Sequence, residues 1–381
     1  MKLLYIFADS PEDYNTSEWR CAIPSRAINN TGFHQARMMP FTAIPDEASI
    51  QDIQWADIIA IERNLFIKPI HQFIKFWQAR GKKIVANFDD AYQVMPLDVQ
   101  TSLLWKRGLM QTDQQIPKDE IRGYIESHGQ RFNLFKAEGH PLHIFRESLK
   151  MVDAYATPSD VLTQDFAHLN PHHYVLRNYP DYSHPEWKVP KKPPGEQIII
   201  GWGGSSTHLQ SFRDSDIIRA LRKVLALHPN VRLMIVCNHP DLIQFLTSNL
   251  PRASIVHIGW RPLREWIRLI GDFDIGIAPL AGKYDDRRSW IKCVEFGARG
   301  VPWIASNRPP YKECKGGILV ENDHKAWTRA LMRLITEPEE RVRLSEEGQR
   351  WAGHLGISEQ IEEHLKVYRE VLDGEAMCSL W

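Results

Sequence analysis

The chain has 381 residues, more than a single hydrophobic core usually organises, so two domains are expected. Lys plus Arg and Asp plus Glu each number 47, a formal net charge of zero, which argues against a general nucleic-acid binder while leaving room for a local basic patch. With 43% hydrophobic and 25% charged residues the makeup is that of a soluble globular protein, and no apolar stretch approaches the ~18–20 residues that cross a bilayer.

Lys2–Ala8 reads as a buried first strand. Its apolar run is too short for the core of a signal peptide, and Asp9, Glu12 and Asp13 follow at once. A helix over Ile23–Asn30, a strand over Ala56–Ile61, a helix over Ile70–Gln78 and a strand over Lys83–Ala86 come next. Such alternation implies parallel βαβ units. Residues from about 98 to 150 read as helical, broken at Pro117 and Pro141, and form an insertion or a lid. Val152–Ala156 is another short strand, ending in a helix start at Thr157-Pro158-Ser159.

The clearest boundary is the proline-rich run Tyr179-Pro180-Asp181, Pro185, Pro190 and Lys191-Lys192-Pro193-Pro194-Gly195, unsuited to a helix or a central strand. Beyond it the alternation restarts, with strands over Gln197–Gly201, Val231–Cys237, Ile255–Ile258, Ile275–Pro279 and Pro302–Ala305. Helices over Ser215–Leu227, Pro240–Leu246, Leu263–Ile270 and Ser289–Ala298 separate them. The fold class expected is α/β: two Rossmann-like doubly wound domains, 1–180 and 197–356, joined by a hinge at 181–196. Five scattered cysteines (Cys21, Cys237, Cys293, Cys314, Cys378) lack metal spacing and read as reduced thiols of a cytoplasmic protein.

Doubly wound sheets bind ligands at the carboxyl ends of their strands, and three loops of the second half fall there. Gly201-Trp202-Gly203-Gly204-Ser205-Ser206-Thr207-His208 combines glycines, which let backbone N–H groups approach an anion, with three hydroxyls, and it runs into a helix start. The plain alternative is a tight turn. In Gly259-Trp260-Arg261-Pro262, Arg261 or Trp260 is placed to flank a nucleotide base; otherwise it is a strand-to-helix turn with an exposed Trp. The third loop follows Ile275–Leu280 and runs through Asp285-Asp286-Arg287-Arg288-Ser289 to Ala298. Arg288, Lys292 and Glu295 stand at i, i+4 and i+7, one helix face near its N-terminus. Two cations there suit a diphosphate, and a carboxylate one turn on can accept from two vicinal hydroxyls, as on a ribose. The rival reading is a solvated face with a Lys–Glu pair, Ile291, Val294 and Ala298 being the buried side.

This second half resembles the large family of retaining GT-B glycosyltransferases often called group 1 or family 4. The resemblance is carried by Gly201-Trp202-Gly203-Gly204, Gly259, Asp274–Pro279, Ser289-x-x-Lys292-x-x-Glu295-x-x-Ala298-x-Gly300-x-Pro302 and Ala305-Ser306, across about Ile198–Leu334. It implies that Glu295 binds the donor ribose, that the glycine loop and nearby basic residues hold the diphosphate, and that a last helix, Ile357–Leu372 within 357–381, returns to the first domain. The implied donor set is Gly203, Gly204, Ser205, Thr207, Arg261, Ser289, Lys292 and Glu295. One departure stands out: the family commonly has a Glu eight residues before the ribose glutamate, and this chain has Arg287, so Asp285 or Asp286 is the candidate replacement.

In the first half, the loop Asp9–Cys21 with Ser17-Glu18-Trp19-Arg20 lies where such enzymes bind acceptor. Asn87-Phe88-Asp89-Asp90 follows another strand on the ligand edge. Asp89 or Asp90 either orients an acceptor hydroxyl and stabilises cationic sugar transfer, or caps the next segment. Asn178 faces the cleft or is structural. Asp272-Phe273-Asp274 matches an Asp-x-Asp metal motif, but it precedes its strand, so no metal site is expected. The histidines, His172-His173 included, are dispersed.

The expected activity is transfer of a sugar from a UDP- or GDP-sugar to a hydroxyl acceptor with no required cofactor, Asp89, Asp90, Arg288 and Lys292 acting at the reacting centre. The alternatives are a non-catalytic nucleotide-sugar or glycan binding protein and a sugar-nucleotide epimerase on the same scaffold. The acceptor side stays open among glycans, lipid-linked sugars with peripheral membrane contact, and a modified nucleic-acid base.

Overall fold

The computed structural model describes residues 1–10, 15–44, 46–96, 102–127, 130–193 and 195–374. Among these, β1 (Lys2–Phe7), β2 (Gln35–Pro40), β3 (Ile58–Glu62) and β4 (Lys83–Asn87) are parallel. β5 (Leu109–Thr112), β6 (Ile121–Ser127) and β7 (Gln130–Lys136) stand apart, and β8 (Ala154–Thr157) and β9 (His173–Val175) rejoin the first set. The first sheet runs β2-β1-β3-β4-β8-β9. In the second half β10 (Ile198–Gly203), β11 (Val231–Val236), β12 (Ile255–Ile258), β13 (Ile275–Ala278), β14 (Trp303–Ser306) and β15 (Gly317–Val320) form a second parallel sheet. Its order is β12-β11-β10-β13-β14-β15.

Apolar runs explain the strands. β3 and β13 are buried along their whole length, as strands covered by helices on both faces must be. The strand order reverses beside β1 in the first sheet and beside β10 in the second, and at such switch points a crevice opens at the carboxyl edge.

The insertion departs from expectation. Among the described residues of this segment the helices are Ser102–Arg107 and Pro141–Met151, and between them β5, β7 and β6 make a three-stranded antiparallel sheet. In β7 Phe132 and Leu134 alternate with Arg131 and Asn133, Leu134 being the buried member, and Phe135 breaks the pattern. Asp98 itself lies outside the described residues.

The chain passes between the halves twice, near Pro180 and near Gly356, and the two passages touch: the Ile357 N–H donates to the Pro180 carbonyl at 2.9 Å. The proline-rich linker is docked on the second half. Arg299 donates to the Trp187 carbonyl at 2.9 Å and Lys191 to the Gly300 carbonyl at 2.9 Å, while Pro194 lies outside the described residues. The last helix, Ile357–Asp373, packs on helix Ile23–Asn30 and β1, where the Tyr5 hydroxyl donates to Tyr368 at 3.1 Å. Ile361, Leu365 and Tyr368 thereby join a core cluster that includes Leu3 and Tyr5 of the first half and Trp290 and Phe296 of the second. Residues 375–381, Cys378 included, fall beyond the described residues; Cys21, Cys237, Cys293 and Cys314 are buried free thiols.

Candidate functional site

A cleft runs between the carboxyl edges of the two sheets in two connected lobes. The larger, about 510 Å³, includes Asp9, Trp19 and Arg63 on one wall and Gly204, Arg261 and Glu295 on the other. The smaller, about 200 Å³, lies among Asp89, Asn178, His208, Arg288, Ser289 and Tyr311. Thr16, Asp90, Ser205, Thr207 and Lys292 border both.

On the second-half wall, β10 ends at Gly203 and the chain turns through Gly204 and Ser205. Both glycines answer to tryptophans: a Cβ on Gly203 would come within 2.4 Å of the Trp266 ring, and one on Gly204 within 2.6 Å of Trp202. The reason for glycine here is thus indole packing, which the phosphate argument from sequence did not supply. Thr207 holds Arg288, whose guanidinium donates to the Thr207 carbonyl at 2.9 Å and hydroxyl at 2.8 Å; Ser205 and Thr207 share a 3.0 Å hydrogen bond. The side chain of Ser206 is outside what is described.

Arg288 does not lie on the helix. That helix spans Ile291–Ala298, and Arg288 sits in the preceding turn, donating to Asp285 at 2.6 Å. Asp285 in turn accepts from Ser211 at 2.6 Å and the Ala281 N–H at 2.7 Å, and Asp286 accepts from Arg308. Both candidate replacements for the family glutamate are therefore occupied in holding the loop. Burial opposes the Arg288 charge, but Asp285 and the Tyr284 side chain outweigh it, and the group is held firmly cationic.

The solvated-face reading fails. Lys292 is 9% and Glu295 5% exposed. Lys292 donates to the Gly203 carbonyl and stands 5.0 Å above the Trp202 ring. Burial lowers its ammonium to about 8, Glu295 pulling upward and Arg288 adding to the fall. Glu295 accepts from Trp266 Nε1 at 3.1 Å. Trp260 and Arg261 border the larger lobe as expected, Arg261 in a surface pair with Glu265 at 3.3 Å.

On the first-half wall Asp89 and Asp90 close β4. They cap nothing: Asp89 accepts from the Thr16 hydroxyl at 3.1 Å and keeps Oδ1 without a hydrogen-bond partner, while Asp90 accepts from the Tyr284 hydroxyl. Burial raises the Asp89 carboxyl to about 7, Asp90 adding to the rise and Arg20 opposing it. Behind them Arg20, 2% exposed within a π-helical turn at Glu18–Ala22, donates to Asn87 Oδ1 at 2.8 Å and Asn178 Oδ1 at 3.0 Å, and also to the Leu176 carbonyl. It ties the ends of β4 and β9 together.

Sequence reasoning passed over Arg63 and Tyr311, and named His208 at the end of the glycine loop without a role. Arg63 is the residue after β3, beside the switch point, and holds φ +39°, a conformation rare for a long side chain; it pairs with Asp9. Inspecting the two residues after every predicted parallel strand would have found it, since the strand read from sequence stops at Ile61 and β3 runs one residue further. The Asp272-Phe273-Asp274 run lies at the opposite sheet edge: the Asp274 carboxylate accepts from the Ile199 N–H at 2.8 Å. Among the described residues no group of three or more His, Cys, Asp or Glu is placed to hold a metal, and no helix is long and apolar enough to cross a membrane.

Residues 213–337 match the sequence model of the group 1 glycosyl transferases. A search of curated protein sequences finds no match. Among solved structures the chain is similar to Anabaena HepE in complex with UDP and glucose, at 12% identity and TM-score 0.62, covering 97% of this chain and 99% of that one. It is similar to sucrose-phosphate synthase from Thermosynechococcus elongatus, at 13% identity and TM-score 0.61, covering 98% and 100%. A glycosyltransferase from Rickettsia africae gives 12% identity and TM-score 0.63, covering 98% and 99%. At such identities the likeness speaks for the fold, the two-sheet GT-B arrangement.

Proposed function

We propose that this GT-B chain, with its group 1 glycosyltransferase segment, moves a sugar from a nucleoside-diphosphate sugar to a hydroxyl acceptor, with retention and without a metal. The observation that carries the reading is the convergence of Arg288, Lys292 and Glu295, all withdrawn from bulk water, on one cleft whose opposite wall holds Asp89. Glu295 takes the ribose hydroxyls, Arg261 and Trp260 the base, and Ser205, Thr207, Ser289 and the backbone at Gly203 and Gly204 the diphosphate side. The smaller lobe takes the sugar.

As the bond from the sugar carbon to the phosphate oxygen breaks, charge gathers on the diphosphate. Lys292 and Arg288 lie where it gathers, in a site where charges act strongly, and so serve the role a metal would otherwise fill. Retention requires the acceptor oxygen to enter on the face the diphosphate leaves, so the departing phosphate oxygen takes the acceptor proton. Asp89 accepts from a neighbouring hydroxyl of the bound sugars and faces the cationic sugar, leaving the attacking hydroxyl's proton to the phosphate oxygen. The cytoplasmic reading rests on the four buried free thiols.

The test is a thermal-shift panel of UDP, GDP, ADP and their sugars, followed by donor turnover with glycan and lipid-linked acceptors after EDTA treatment. Selective stabilisation by one nucleoside diphosphate and its sugar, with turnover surviving the chelator, is expected. No stabilisation by any of them sinks the donor site, and complete loss with EDTA restored by manganese sinks the metal-free reading.

A further inference from the structure

The turn Tyr284–Trp290, between β13 and helix Ile291–Ala298, carries Arg288, and the first half grips it repeatedly. The Tyr284 hydroxyl donates to Asp90. The Ser159 hydroxyl donates to the Arg287 carbonyl at 2.8 Å, and Trp290 Nε1 donates to the Asn178 carbonyl at 2.9 Å. The fourth grip is ionic: the Arg287 guanidinium forks onto both oxygens of Asp165, with Nη2 2.8 Å from Oδ1.

This pair is well made. Both side chains are largely covered, at 17% and 18% exposure, and a planar guanidinium on a carboxylate fixes direction as well as distance. Asp165 is held on its own side by Gln93, which donates to it, and by helix Asp160–Phe166, capped by the Ser159 side chain that accepts from the Leu162 N–H. The adjacent Arg288 is bound wholly within the second half, to Asp285 and Thr207. Neighbouring arginines thus serve two jobs, one across the cleft and one within its wall.

We propose that Arg287 is a positioning residue, whose ion pair with Asp165 sets the spacing of the two halves at which Arg288 and Asp89 face each other. It acts on turnover and leaves donor binding to the second half. The assignment to turnover rests on the reading of the cleft as a transfer site; the clasp itself does not.

The experiment compares the full-length protein with Arg287→Asp, Arg287→Gln, Asp165→Arg and the exchange Arg287→Asp/Asp165→Arg. Turnover, nucleoside-diphosphate affinity by calorimetry and the radius of gyration by small-angle scattering are read on each. Misplacing reacting groups by about an ångström can cost on the order of a hundredfold, so the single changes are expected to lower kcat by roughly ten- to a hundredfold. Diphosphate Kd should stay within about threefold, less than half a decade of affinity. The radius of gyration should rise, and the exchange should restore both kcat and compactness. Arg287→Gln, which keeps bulk and adds no charge, covers the case in which a charge reversal prevents folding. Normal kcat in Arg287→Gln, affinity falling in step with kcat, or an exchange that restores nothing overturns the proposal. If the parent protein neither binds nucleotide nor transfers sugar, the function reading fails alone. The clasp then stands on expansion of the single variants and its reversal in the exchange, and falls if they do not expand.

Discussion

Arg288, Lys292 and Glu295 come from one stretch of the second half, 288–295, and are fixed by partners in that half: Asp285, Thr207, Gly203 and Trp266. On the facing wall Asp9, Arg63, Asp89 and Asn178 come from the ends of β1, β3, β4 and β9: Arg63 pairs with Asp9, Thr16 donates to Asp89, and Arg20 joins Asn87 to Asn178. A wall whose charged groups are fixed by partners in their own half keeps its geometry when the halves part. A wall gathered from four strand ends depends on the whole sheet, and Asp90 and Asn178 also depend on contact with Tyr284 and Trp290 of the other half. The second-half wall is accordingly suited to hold a donor by itself, the first-half wall to act once the cleft is assembled.

The sharpest way to break that division is to remove a cation from the donor wall. Lys292→Met keeps bulk and takes away a charge that the site already strains, so folding should survive. Loss of one preorganised group facing developing negative charge typically costs on the order of 10²–10³ in turnover. Calorimetry should show weakened binding of the nucleoside diphosphate and unchanged binding of the bare nucleoside. Equal diphosphate affinity in parent and variant would take Lys292 off the donor wall.

Asp89→Asn probes the other wall, with an expected loss of about 10²-fold in turnover and little change in donor affinity. It also has a pH signature. Asp89 accepts hydrogen bonds at both oxygens only when ionised, so with its carboxyl near 7, kcat/KM should fall as pH drops through about 7. Lys292, near 8 in the free protein, should lose its charge and the diphosphate its partner as pH rises through about 8. The profile of kcat/KM is then a narrow bell, and Asp89→Asn should abolish its acid limb and keep the alkaline one. An unchanged acid limb would assign it to another group.

Glu295→Gln should weaken nucleoside-diphosphate and donor binding alike, by about 1.5–3 kcal/mol or roughly ten- to a hundredfold, the worth of a charge-assisted hydrogen bond. The amide oxygen still accepts from Trp266 Nε1, while the lost charge also removes the upward pull on the Lys292 ammonium. Unaltered affinity measured by calorimetry would take Glu295 out of the donor site.

How much of this was legible follows the same division. Apolar runs such as Ile275-Gly276-Ile277-Ala278 marked the strands, and i, i+4, i+7 spacing brought Lys292 and Glu295 to one side of a short helix. Their burial was not legible, because a helix enclosed from Lys292 to Gly297 leaves no polar stripe to read. β2 was missed because its Gln35-Ala36-Arg37-Met38-Met39 run is half polar at a sheet edge, and β5–β7 because three short polar strands between helices carry little apolar signal. Arg20 was beyond reach: its partners are Asn87 and Asn178, far along the chain, and no local pattern announces a buried guanidinium at a π-helical turn.

Gly203→Ala tests whether the loop glycines serve packing. A Cβ 2.4 Å from the Trp266 ring must displace it, and overpacking of this kind costs about 1–3 kcal/mol. Thermal unfolding should show a lower Tm with nucleotide absent. Because Trp266 also holds Glu295, donor affinity should fall with it. An unchanged Tm would mean that the indole moves aside freely, returning Gly203 to the phosphate explanation alone.

The smallest effect concerns the last helix, on which the first half leans. His364 is 3% exposed, its two ring nitrogens lack side-chain partners, and burial together with nearby Arg20 drives its pKa down to about 3. An unfolded chain would protonate the same ring near 6.5. The unfolded state therefore binds more protons below that value, so stability is full at neutral pH and declines as pH falls from about 6.5 toward 3. At pH 5.5 the difference for this single group is about 1.4 kcal/mol, one pKa unit's worth. His364→Phe should flatten the curve between pH 7 and 5.5 by that amount in urea titrations, with the second-half groups, His208 among them, left to account for any slope that remains. A variant whose stability falls as steeply as the parent's would show that the C-terminal helix does not carry the acid sensitivity of the first-half wall.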